Sequence, residues 1–106
     1  MDRIKRISSM EAKLTFSLEA IRALQSALDG YIDAAEDIKA LEGYLSGDDR
    51  KADLAADEAG LLPADLKRGV LSEDGIYDML SDNAELIARL RELVLSIGDE
   101  ENKGVL

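Results

Sequence analysis

The sequence predicts an all-α fold, an antiparallel helical hairpin or bundle. One long N-terminal helix, short middle helices and a long C-terminal helix make it up. Three observations carry this expectation. Apolar residues recur at heptad spacing from Ile7 to Leu45. One position of the frame reads Ile7, Leu14, Ile21, Leu28 and Ala35. The position three residues on reads Met10, Ser17, Leu24, Tyr31, Ile38 and Leu45. Such a seam is stable only when something packs along it. The chain also has one Phe, three Tyr and no Trp, so its core is Leu, Ile, Ala and Met. That composition suits helix packing. A single proline, Pro63, is too few turn signals for a β-rich domain.

The first helix starts at Asp2, an N-cap whose carboxylate sits at the positive end of the dipole. It runs to Leu45 and stops at Ser46-Gly47. Asp29-Gly30 is a turn-forming pair, and glycine in a helix costs ~1 kcal/mol relative to Ala. The heptad frame nevertheless passes through Gly30 in phase, which predicts one helix and not a hairpin. Asp48 or Asp49 is expected to cap a short helix closed by Gly60. Pro63 is expected to open a further helical turn over 64–68, with Gly69 at its C′ position. Ser72 is the expected N-cap of the last helix, with Glu73 and Asp74 in its first turn. Its apolar stripe runs from Ile76 to Ile97, with Asn83 in the seam, and Gly98 ends it. Leu24 and Leu90 are the expected core positions. At about 25 residues this helix spans roughly 37 Å, little more than half of the first. That mismatch points to a second copy or a helical partner on the uncovered seam. The expected organisation is a single domain over 1–98 and a flexible tail over 99–106.

The chain has 106 residues, no cysteine and a net charge of −10. Length allows one domain with a modest core. The absence of thiols suits a reducing compartment. No apolar run is long enough to span a membrane, so a cytoplasmic protein without membrane contact is expected. The charge is uneven. Residues 29–85 hold sixteen acidic and five basic side chains, a net of −11, and the remainder nets +1. Direct contact with nucleic acid is disfavoured by repulsion in that middle region. The N-terminal end is opposite in sign, with Arg3, Lys5, Arg6 and Lys13.

No histidine is present, which removes the Ser-His-Asp triad, the Cys-His dyad and His-containing zinc sites. Gly60, Gly69 and Gly75 are isolated and form no phosphate loop. The acidic cluster from Asp48 to Glu58 lacks the spacing of a calcium loop. No cofactor, no metal and no catalytic residue is therefore expected. Two surfaces remain as candidates for a partner. The first gathers Lys67, Arg68, Asp74 and Tyr77, a basic pair in an acidic region beside glycines that permit close approach. The same residues also read as helix-end capping, with Tyr77 packed under the loop. The second is the acidic surface of Asp33, Asp37 and Asp53.

The segment Leu62-Pro-Ala-Asp-Leu-Lys-Arg-Gly-Val-Leu-Ser-Glu-Asp-Gly-Ile-Tyr-Asp-Met-Leu80 is the most distinctive in the chain. It resembles the hallmark of a small bacterial family, the domain of unknown function 4298. The opening Met1-Asp-Arg-Ile-Lys-Arg-Ile-Ser-Ser-Met-Glu is similar to that family's start, as are Asp37-Ile-Lys-Ala-Leu-Glu-Gly-Tyr44 and Asp57-Glu-Ala-Gly60. The resemblance implies a compact helical protein and brings no catalytic residues. The expected function is that of a non-catalytic protein–protein interaction module, self-associating as a homodimer with a further protein partner. The alternative is an acidic inhibitor that mimics nucleic acid and occupies the basic groove of a nucleic-acid-binding protein.

Overall fold

The computed structural model describes residues 2–105, with side chains over 2–98. All regular structure among them is helical: α1 (Arg3–Leu45), α2 (Asp48–Glu58), a 3₁₀ turn (Gly69–Leu71) and α3 (Gly75–Val105). The expected class and element order stand. The chain divides into two compact units, Met1–Asp37 and Ile38–Leu106, with the division inside α1.

The first unit is helix alone. Asp2 begins it as the sequence suggests. Its carboxylate accepts from the Ile4 N–H at 3.4 Å, and its carbonyl accepts from the Arg6 N–H at 2.9 Å. The helix passes through Gly30 without interruption. Nothing else belongs to this unit, and its apolar seam is exposed from Ile7 to Leu28. Ile7, Leu14 and Ile21 are each 54 % exposed and Leu24 is 46 % exposed. Leu24 is therefore not a core residue of the chain, contrary to the sequence expectation. Periodicity reports a face that is built to be covered, and it does not report by what.

The second unit holds the tertiary structure. The Ser46-Gly47 stop ends α1, with the Gly47 N–H donating to the Tyr44 carbonyl at 3.1 Å. Gly47 itself is the N-cap of α2, and Asp48 and Asp49 lie in the first turn, not at the cap. There they favour the helix through its dipole. The end of α2 is a Schellman motif. The Gly60 N–H donates to the Asp57 carbonyl and the Leu61 N–H to the Ala56 carbonyl, each at 3.0 Å. Gly60 adopts φ +71°, the left-handed conformation this motif needs. Pro63 opens a single turn, closed by the Leu66 N–H on its carbonyl at 3.2 Å, and not a helix. Gly69 starts the 3₁₀ turn and is not a helix terminator.

The 3₁₀ turn touches both α2 and α3. Ile76, on the first turn of α3, is 4 % exposed and is the one buried apolar residue among those described. Leu90 is half-buried, as is Asn83. The backbone of α3 continues through Gly98 to Val105, so Gly98 does not end it. With 31 residues, α3 spans about 46 Å against about 65 Å for α1, and the length mismatch is smaller than expected. The side chains of the expected tail, 99–106, lie outside the described residues.

Two glycines give opposite predictions. A Cβ at Gly30 would meet nothing within 4 Å. Gly30→Ala should raise stability by ~1 kcal/mol in thermal melts, because it removes only the entropic cost of glycine. Gly60→Ala should lower it by about 1–2 kcal/mol, because the left-handed conformation crowds a Cβ. A loss at position 30 equal to that at 60 would contradict the uninterrupted helix.

Candidate functional site

The junction between the loop 59–74 and α3 is the most constructed part of the molecule. Ser72 builds its start. The Ser72 hydroxyl donates to the Gly69 carbonyl at 2.7 Å and accepts from the Gly75 N–H at 3.0 Å. That second bond reaches the first helical N–H, but α3 begins at Gly75. Ser72 therefore lies before the cap position and closes the 3₁₀ turn, and Glu73 and Asp74 precede the first turn, contrary to the sequence expectation. The Asp78 N–H donates to the Asp74 carbonyl at 2.8 Å and continues the turn. Gly75 is required by close approach. A Cβ there would collide with the Gly69 carbonyl and lie 2.6 Å from the Ser72 hydroxyl.

Two arginines fasten this junction to α2. Arg50 donates from Nε to the Val70 carbonyl and from Nη2 to the Ser72 carbonyl, each at 3.1 Å. The planar guanidinium thus satisfies two loop carbonyls that α2 and α3 leave unpaired. Arg68 Nη1 donates to Asp57 Oδ1 at 2.5 Å in a partly buried ion pair. A third tie joins the end of α1 to α2. The Tyr44 hydroxyl donates to Asp53 Oδ2 at 2.6 Å. That bond to a carboxylate, reinforced by desolvation and by the Asp53 charge, raises the Tyr44 pKa above the ordinary 10.0.

A cleft of about 410 Å³ opens beside the junction, lined by Leu41, Lys67, Gly69, Val70, Gly75, Ile76 and Met79. It offers apolar contact and one ammonium group. Its lining holds no carboxylate, and the chain has no thiol or imidazole at all. Among the described residues, no group of three acidic, Cys or His side chains is placed to hold a metal ion. No helix among them is long and apolar enough to cross a membrane.

The sequence-derived candidates fare unequally. Lys67 reaches the cleft, whereas Arg68 is engaged by Asp57. Asp74 is exposed at the helix start. Tyr77 is 65 % exposed and does not pack under the loop. Asp33 and Asp37 lie exposed on α1 in the first unit, whereas Asp53, in the second, is engaged by Tyr44. The tying residues Tyr44, Arg50 and Asp57 were not singled out from the sequence. Their partners lie nine to twenty-two positions away.

Gly75→Ala should cost about 1–3 kcal/mol in denaturant unfolding, as overpacking does when the neighbour is backbone. A neutral result would contradict the close approach. The raised Tyr44 pKa makes the folded state hold its proton more tightly than the unfolded chain. The Tyr44–Asp53 contribution is then complete below the ordinary value of 10.0 and lost as pH rises through the folded value. Tyr44→Phe should therefore flatten the alkaline fall in stability above pH 10.0, and an unchanged slope would contradict the assignment.

The three stretches 37–44, 57–60 and 62–80 supply this junction: Tyr44 from the first, Asp57 and Gly60 from the second, and Lys67 through Met79 from the third. Neither the curated proteins nor the solved structures yield a match. The family model described as Domain of unknown function (DUF4298) matches residues 7–93, spanning the α1 seam, the arginine ties and the cleft, and the chain belongs to that family.

Proposed function

We propose that this chain is a non-catalytic helical interaction module whose contact surface is the apolar seam of α1. One observation carries the reading. Residues Ile7 to Leu28 repeat apolar side chains at heptad spacing on a continuous helix, and those side chains stand about half exposed. Helices draw most of their stability in water from covering such a face. Completing the burial of one half-exposed Leu or Ile contributes on the order of 1 kcal/mol. A row of them is a substantial driving force for association.

The acidic-mimic reading has no comparable support. Its three carboxylates fall in two units, and Asp53 is already hydrogen-bonded. Partner capture separates the readings. Tagged parent and an Ile21→Asp/Leu24→Asp variant should be isolated from cells, and everything retained identified, untagged copies of the chain included. The seam reading expects the retained set to disappear with the variant. A retained set that survives it, but is lost on reversing Asp33, Asp37 and Asp53 to Lys, would overturn the reading in favour of the acidic surface.

A further inference from the structure

We infer that the cleft beside the start of α3 binds a small amphipathic anion, an aliphatic chain ending in a single carboxylate. Every residue that lines the cleft belongs to the second unit, so the inference is independent of the α1 seam. At about 410 Å³ the cleft has the size of a small-molecule site. Ile76, the one buried apolar residue among those described, lines it. Leu41 and Met79 are half-buried and Val70 is 39 % exposed. These side chains are aliphatic or thioether, and no aromatic ring lines the cleft. Such a surface takes up a flexible alkyl chain through removal of apolar area from water.

Charge selects the other end of the guest. Residues 29–85 carry a net of −11, yet the one ionised side chain lining the cleft is a cation, Lys67. The arginines nearby are engaged by the fold, Arg50 with the Val70 and Ser72 carbonyls and Arg68 with Asp57. No ion pair or hydrogen bond among the described residues engages the Lys67 ammonium. Gly75 and Ile76, the first two residues of α3, also line the cleft, so the positive end of that helix dipole lies there. Glu73, Asp74 and Asp78 stand near the helix start, but none lines the cleft. Their repulsion disfavours a multiply charged guest such as a phosphate monoester and leaves a monoanion. Gly69 keeps the space open. It lies outside the left-handed region, and a Cβ there would meet nothing within 4 Å. Unlike Gly60 and Gly75, it is required neither by its turn nor by a neighbour. A missing side chain lets a guest approach the backbone.

Octanoate is the probe, added to the isotope-labelled full chain and followed by the backbone amide resonances. The amides of Lys67, Gly69, Gly75 and Ile76 should shift saturably, and those of residues 7–28 should not. Octylammonium, of equal chain length and opposite charge, should bind about fivefold more weakly or worse. Lys67→Gln should weaken octanoate by a similar factor, and Lys67→Arg should retain it. Gly69→Leu should abolish the shifts by filling the cleft while the helical signal stays. Equal affinity for the two probes, or octanoate binding untouched by Lys67→Gln, would overturn the inference. Shifts confined to residues 7–28 would also overturn it, since the alkyl chain would then coat the seam. A short peptide ending in a free Leu carboxylate that displaces octanoate at a lower concentration would overturn the small-molecule assignment in favour of a polypeptide C-terminus. If Gly69→Leu unfolds the chain, Lys67→Gln decides alone, because Lys67 is exposed and holds no part of the fold together.

Discussion

The constraint on which this structure turns is the seam of α1. A helix of 43 residues presents an apolar face in strict phase, and its first unit contains nothing else. Propagating a helix is easy once begun, but a face of Ile and Leu in water is a standing cost. The chain devotes much of its length to this feature. The pattern of the first unit is carried by residue spacing and not by any chemical group.

The second unit follows a different logic. Its apolar core is very small, with Ile76 the one buried apolar residue among those described. Order there depends on directed polar contacts. Ser72 serves the loop and the start of α3, Arg50 takes two carbonyls, and Arg68 pairs with Asp57. Hydrogen bonds to charged donors are stronger than neutral ones, and they hold a loop that packing alone would leave mobile. Glycines enter where the backbone demands them, Gly60 for its left-handed turn and Gly75 for its contact with the Gly69 carbonyl.

Local signals in the sequence were reliable where the physics is local. The Asp2 cap, the continuity through Gly30 and the Gly60 terminator were legible from residue type and phase, whereas Ser72 was placed at the helix cap and instead closes the 3₁₀ turn before it. Pro63 and Gly69 misled because a short segment can close as a turn or as a 3₁₀ turn with the same residues. Gly98 misled because glycine weakens a helix without being obliged to end it. Leu24 was read as core because a periodic pattern marks an apolar face without showing whether the rest of the chain covers it. The candidate patch at Lys67, Arg68, Asp74 and Tyr77 was found as a region, but its roles were not. Arg68 needed knowledge of Asp57 eleven residues away, and no periodicity links them. The acidic set of Asp33, Asp37 and Asp53 was grouped by charge alone, and the fold distributes it across both units.

Amide hydrogen exchange followed against protein concentration tests the central claim most directly. If the seam is covered by association, protection of residues 7–31 should rise as the protein is concentrated. Protection around Ile76 and the Arg50 tie should stay constant, because those contacts lie within one unit of one chain. Strong protection of residues 7–31 that does not change on dilution, in a protein shown to be monomeric, would contradict the account.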